Sequence, residues 1–125
     1  MAIELDMVGI AVKDMAESLR FYRTLGLDIP EAPAGEDHVE TTSGGMRIAW
    51  DTVELLKGLL GEWDEPKGNR MEIAFKCEDA SGVDAVFARV TSAGFKGFRE
   101  PWDAFWGQRY GILEDPDGNH VSLFA

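Results

Sequence analysis

The pattern of apolar and polar residues predicts a strand, a helix and three further strands in the first half of the chain. Apolar residues at 8–12 are typical of a strand, and Asp14 is placed to cap the helix that follows. Apolar residues then recur at helical spacing as far as Gly26, a typical C-cap. The predicted strands cover 8–12, 27–29, 38–42 and 46–51, and the predicted helices cover 15–25 and 53–63.

The second half of the chain repeats this pattern. Residues 71–77 correspond to the opening strand, Asp79 to the N-cap and Gly94 to the C-cap. A β-hairpin follows, and its predicted turn is the sequence Asp-Pro-Asp-Gly at 115–118. A duplication of about sixty residues predicts two halves, each a curved sheet with one helix, and a concave face that holds a ligand. The halves are 1–63 and 70–125, joined by a linker at 64–69 within one domain, 1–125.

The charge balance narrows the classes of partner. The formal net charge is −11, which argues against nucleic acid, because phosphate binding needs clustered Lys and Arg. The same charge attracts cationic small molecules. No apolar run is long enough for a membrane-spanning helix, and no signal peptide is recognised, so we expect a cytoplasmic protein without membrane contact. The single cysteine, Cys77, is expected to be a small core residue.

An aromatic segment precedes the final hairpin and is expected to be a loop. Trp102, Phe105 and Trp106 either line a site for a flat ligand or pack an interface between subunits. Pairing the hairpin about its turn places Arg109 on the face of Ser122 and turns Tyr110 toward the helix. The same alternation predicts that Trp50 lies in the core.

Two signatures resemble the vicinal oxygen chelate superfamily. They are Asp14…Phe21-Tyr22…Leu25-Gly26 in the first half and Glu114-Asp115-Pro116-Asp117-Gly118-Asn119 in the second. The superfamily includes glyoxalase I, extradiol dioxygenases, fosfomycin-resistance enzymes and bleomycin-resistance proteins. The resemblance implies an α+β fold, in which two βαβββ modules form a curved mixed sheet around a cavity, and a homodimer.

The resemblance also implies four positions for the ligands of a divalent metal. In this sequence they hold Met7, Ala49, Glu72 and Ser122. One carboxylate is too few for a catalytic site, and thioether and hydroxyl groups are poor ligands for hard ions. We therefore expect no metal, no cofactor and no catalytic residue. The alternative is a metal-dependent lyase or isomerase, glyoxalase-like, that uses Glu72 with His120.

The chain looks closest to the metal-free, drug-binding branch typified by mitomycin resistance. That branch implies a flat ligand stacked between His38 and Trp106. The predicted function is metal-independent binding of a planar small molecule, possibly cationic, and hence antibiotic sequestration. A third hypothesis is a dimeric structural domain whose cavity its own side chains fill. The predicted ligand-binding residues are His38, Trp102, Phe105, Trp106, Gln108 and Arg109.

Overall fold

A computed structural model describes residues 2–125, which form seven strands and three helices. In chain order these are β1 (Met7–Val12), α1 (Met15–Leu25), β2 (His38–Ser43), β3 (Met46–Thr52), α2 (Val53–Leu60), β4 (Glu72–Lys76), α3 (Ala80–Ser92), β5 (Lys96–Asp103), β6 (Arg109–Glu114) and β7 (His120–Phe124). The strands form two mixed sheets, which confirms the predicted α+β class. None of the helices in this described part of the chain has the length and apolarity needed to cross a membrane.

The chain divides into two compact units. The first unit comprises the chain up to Arg23 together with Leu27–Pro66, and the second comprises Thr24–Gly26 and Lys67–Ala125. The first unit contains a three-stranded sheet in the order β1-β3-β2, with β1 parallel and β2 antiparallel to β3. The second unit contains a four-stranded sheet in the order β4-β7-β6-β5, in which β4 and β7 are parallel.

The core of the first unit lies between α1 and its sheet. The carboxylate of Asp14 accepts a hydrogen bond from the backbone N–H of Glu17 at 3.1 Å, which confirms the predicted N-cap. Trp50 is fully buried, and its ring centroid lies 5.2 Å from that of Tyr22 on α1, so the prediction that Trp50 is a core residue is also confirmed.

The predicted strand at 27–29 is wrong, and the first unit therefore has three strands instead of four. Side chains hold the backbone carbonyls of this segment. Thr41 Oγ1 donates to the carbonyl of Asp28 at 2.6 Å, and the guanidinium of Arg23 donates to the carbonyls of Ile29 and Pro30 at 3.3 and 2.7 Å. Pro30 has no N–H to give to a ladder, so the segment lies beside β2 without joining the sheet.

Helix α2 is shorter than the predicted 53–63. It ends at Leu60 because Gly61 adopts a left-handed conformation, with φ of 80°, and its N–H bonds to the carbonyl of Lys57. Thr52 caps the other end by accepting from the N–H of Leu55 at 3.2 Å. No residue of this helix is buried.

In the second unit, α3 covers one face of the sheet. Asp79 caps the helix by accepting from the N–H of Gly82 at 2.8 Å, as predicted. The buried residues of α3 are Val83, Phe87 and Val90. Cys77 is half-buried instead of fully buried, and burial is the main cause that raises the pKa of its thiol. The thiol is therefore held in its unreactive protonated form.

The aromatic segment is partly a strand, which corrects the expectation of a loop. Pro101 and Trp102 lie within β5, and only residues 104–108 connect it to β6. The pairing of β5 with β6 shifts twice, between Gly97 and Arg99 and again between Arg99 and Trp102. These irregularities are β-bulges, which insert extra residues and change the direction in which the following side chains point.

Candidate ligand-binding face

The face of the second sheet turned away from α3, here called the outer face, carries the polar and aromatic candidates. Residues directly opposite each other on paired strands share a face. Glu72 pairs with His120, Ile112 with Ser122, and Trp102 with Tyr110. The other face meets the helix: a Cβ added at Gly111 or Gly97 would lie 3.6 or 2.5 Å from atoms of Phe87.

The carboxylate of Glu72 lies in the middle of a short hydrogen-bond network. Its Oε2 accepts from the hydroxyl of Ser122 at 2.7 Å, and its Oε1 accepts from the phenol of Tyr110 at 3.2 Å. Ser122 is fully buried, so this partner is fixed by packing. Burial is the main cause that raises the pKa of Tyr110, and the charge of Glu72 raises it further. The outer face therefore presents an oriented carboxylate beside a protonated phenol.

Two tryptophan rings pack against Tyr110 at its end of this network. The ring centroids of Trp102 and Trp106 each lie 5.4 Å from that of Tyr110, and those two indoles are 6.3 Å apart. All three contacts are edge-to-face, the geometry that the quadrupoles of aromatic rings favour. We call Trp102, Trp106 and Tyr110 the aromatic cluster.

The turn between β5 and β6 orients the outer edge of the aromatic cluster. The indole N–H of Trp106 donates to Oε1 of Gln108 at 2.8 Å. Phe105 lies 5.1 Å from Trp106 and is 98% exposed, while Trp106 is 49% exposed. The structure thus brings together four predicted site residues, Trp102, Phe105, Trp106 and Gln108.

Arg109 lies on the face of the sheet that meets α3. Tyr110 occupies the outer face, where Arg109 was predicted to lie. The guanidinium of Arg109 pairs with Asp84 on α3 at 3.0 Å and with Asp103 at 3.2 Å. The predicted faces of Arg109 and Tyr110 are therefore exchanged. The cause is the register of the hairpin: Asp115 pairs with Asn119 across a three-residue loop that ends at Gly118, with φ of 87°. A shift of one residue turns every side chain to the opposite face.

His38 lies in the first unit, at the start of β2. Its Nδ1 is 2.5 Å from Oδ1 of Asp51, and its Nε2 is 3.1 Å from Oε2 of Glu40. Hydrogen bonds that the ring donates to Asp51 first, and then to Glu40, raise the pKa of His38. Arg47 extends this network by pairing with Glu40 at 3.1 Å and with Asp6 at 2.6 Å. Both ring nitrogens of His38 are thus engaged by carboxylates of its own sheet.

A cavity of about 530 Å³ lies within the first unit. It is lined by α1 and by the segment 31–37, together with Lys13, Asp14 and Thr52. None of the predicted ligand-binding residues lines this cavity.

Comparison with known proteins assigns the family. Residues 4–123 match the profile of the Glyoxalase/Bleomycin resistance protein/Dioxygenase superfamily. The chain belongs to this superfamily. An uncharacterized protein of Mycobacterium tuberculosis is 28% identical over 103 residues, which are 82% of this chain and 45% of that protein. The chain spans about half the length of the curated relatives that it matches.

Solved structures share the glyoxalase-superfamily fold. A superfamily enzyme from Burkholderia phytofirmans is 19% identical, with a TM-score of 0.85 and 98% of both chains covered. A lactoylglutathione lyase from Agrobacterium tumefaciens is 17% identical, with a TM-score of 0.70 and 97% of this chain and 92% of that chain covered. At these identities the likeness shows the fold alone.

The four positions that the superfamily implies for a metal do not form a fitting donor set. Met7 and Ala49, both in the first unit, offer a thioether and a methyl group. In the second unit, the one carboxylate, Glu72, already accepts from Ser122 and Tyr110. Residues 2–125 contain no group of three or more His, Cys, Asp and Glu side chains able to hold an ion.

His120, the second residue of the alternative metal site, has other neighbours. Its ring lies 4.3 Å from that of Phe98, and its Nε2 lies 3.4 Å from Nδ2 of Asn69. His120 pairs with Glu72 across β4 and β7 and so shares its face. One imidazole and one carboxylate are fewer than the three protein ligands of a catalytic zinc site.

Proposed function

We propose that this superfamily member binds a planar, positively charged small molecule on the outer face and leaves it chemically unchanged. The observation that carries the proposal is the contact of the Glu72 carboxylate with Tyr110 of the aromatic cluster. A carboxylate beside aromatic faces suits an organic cation, because both the charge and the ring quadrupoles attract it.

Cation–π attraction, stacking area and the net negative charge all favour the binding of a planar cation. A cation over an indole contributes about 0.5–1 kcal/mol at an exposed site and about 2 kcal/mol when it is desolvated. The aromatic cluster adds stacking area, and rigid rings lose little entropy when a flat ligand binds. The net charge of −11 raises the local concentration of cations and speeds their association.

Glu72 and the aromatic cluster can bind a ligand, and the simplest activity for them is binding without any reaction of the ligand. A protein that holds a cationic, planar antibiotic lowers its free concentration by mass action, so sequestration is the biological activity that we propose. The metal-dependent lyase or isomerase remains the competing hypothesis. It requires an ion at Glu72 and His120, and a metal requirement in the binding assay distinguishes the two.

The test is equilibrium dialysis of the purified protein against N-methylacridinium, a permanent planar cation. We expect saturable binding that EDTA leaves unchanged. Trp102→Leu and Trp106→Leu should each weaken it at least about fivefold, equivalent to about 1 kcal/mol. Trp63→Leu, the same change in the first unit, is the matched control and should retain binding. Absence of saturable binding, or binding that needs an added divalent ion, would contradict the proposal.

We also propose that the protein is a homodimer. Large apolar side chains are exposed in both units, among them Leu59 and Leu60 on α2 and Met71 beside β4. Exposed apolar residues of this kind are typical of surfaces that another subunit covers, and twofold dimers are the commonest oligomers. Sedimentation velocity should give a mass twice that of the 13.8 kDa chain. A single species of monomer mass at micromolar concentration would contradict the proposal.

A further inference from the structure

Arg99 covers the π face of one ring of the aromatic cluster. Its guanidinium carbon lies 3.5 Å from the ring centroid of Trp102, well within the range of a cation–π interaction. Arg99 is exposed, and within residues 2–125 no carboxylate forms an ion pair with it. Within residues 2–125, the ring of Trp102 is therefore what holds the Arg99 guanidinium.

The bulges of β5 create this contact. In a regular strand, residues three apart point to opposite faces, so Arg99 and Trp102 would not meet. Here Arg99 pairs with Ile112 and Trp102 pairs with Tyr110, so three steps on β5 oppose two on β6. The extra residue brings both side chains onto the outer face. β-bulges commonly re-aim side chains beside functional sites.

We propose that Arg99 is an internal, displaceable occupant of the ligand site, which a planar cation must replace on Trp102. This inference rests on the proposed function. The guanidinium is itself a flat, delocalised cation, so the ring face that holds it is suited to ligands of the same chemistry, such as amidinium, acridinium and pyridinium ions. An exposed cation–π contact is weak, so the cost of displacing Arg99 is small and the exchange is reversible.

The test compares Arg99→Gln with Lys96→Gln, each titrated with N-methylacridinium. Both variants remove one positive charge from β5, but Lys96 pairs with Glu114 at 2.9 Å, at the opposite end of the β5–β6 ladder from Trp102. We expect Arg99→Gln to bind about two- to fivefold more tightly than the parent, and Lys96→Gln to change Kd less than about twofold. An equal or weaker affinity of Arg99→Gln would overturn the inference.

An NMR measurement tests the contact without any ligand. The Nε–Hε resonance of Arg99 should be displaced by the ring current of Trp102, should return to its ordinary position in Trp102→Leu, and should move when N-methylacridinium is added. If the ligand binds but leaves this resonance in place, the Arg99 inference fails and the proposed function stands. If the ligand does not bind the parent protein or Arg99→Gln, both fail.

Discussion

The phenol of Tyr110 donates to Oε1 of Glu72 at 3.2 Å, across three strands of the second sheet. Tyr110 is also the ring that both Trp102 and Trp106 contact. This one hydrogen bond therefore joins a carboxylate to an aromatic cluster and produces the surface that we propose as the ligand site.

The Tyr110–Glu72 contact predicts a change in the titration of the phenol. Burial first, and the charge of Glu72 in addition, raise the pKa of Tyr110 above its usual range. Glu72→Gln removes the charge and leaves the burial, so the pKa of Tyr110 should fall part of the way. Ultraviolet absorbance against pH measures this, with Tyr22→Phe used to remove the signal of the other tyrosine. An unchanged pKa in Glu72→Gln would show that the two side chains do not interact.

The close packing of β5 against α3 predicts opposite effects of two glycine substitutions. A Cβ at Gly97 would lie 2.5 Å from Cζ of Phe87, so Gly97→Ala should lower the free energy of unfolding by about 1–3 kcal/mol. A Cβ at Gly58 on α2 would meet no atom within 4 Å outside its own turns of helix, so Gly58→Ala should raise stability by about 0.5–1 kcal/mol. Urea denaturation measures both. Equal stabilities of the two variants would contradict the packing of Gly97.

We predict that the contribution of His38 to the free energy of unfolding depends on pH. Its pKa is raised in the folded protein, so the contribution is fully present below the unfolded value of about 6.5 and is lost as pH rises through the folded value. The side chain is 43% exposed, so screening limits the effect to less than about 1 kcal/mol. His38→Asn should lose stability relative to the parent in mild acid and much less at alkaline pH. A deficit that does not vary with pH would contradict the network.

Arg109 lies on the face of the sheet that meets α3, so we predict that Arg109 does not contact the ligand. Its partners are Asp84 on α3 and Asp103, so it is separated from Glu72 by the sheet itself. Arg109→Gln should keep the Kd for N-methylacridinium within about twofold of the parent, because distant sites act independently. A fall in affinity as large as that of Trp102→Leu would place Arg109 in the site after all.

Local signals were enough to predict much of the fold. The caps at Asp14 and Asp79 were visible in the sequence because each depends on residues within three positions of the cap. The final hairpin was visible because its turn needs Asp, Pro and Gly at fixed places. The segment 27–29 misled the prediction because side chains of Thr41 and Arg23 satisfy its carbonyls, and no local pattern shows this.

The site was only partly predictable, because local sequence patterns do not show contacts between distant residues. The aromatic residues 102, 105 and 106 are near neighbours in sequence, and their grouping could be seen. Tyr110 was missed because the loop at 115–119 pairs its two ends and shifts the register by one residue. The glycine at position 118 was the available signal, because a three-residue loop needs a residue with positive φ at its end, and Gly118 has a φ of 87°. Glu72 meets Ser122 across 50 residues of sequence, and this contact depends on the pairing of β4 with β7.

The most direct test of the account is a calorimetric comparison of N-methylacridinium with acridine, at a pH where acridine is uncharged. The two ligands have nearly the same shape and differ in charge. We predict that the parent protein prefers the cation by at least about fivefold, equivalent to about 1 kcal/mol, and that Glu72→Gln abolishes this preference. Equal affinity for the two ligands, or a preference that survives in Glu72→Gln, would contradict the claim that this carboxylate and its aromatic neighbours select a planar cation.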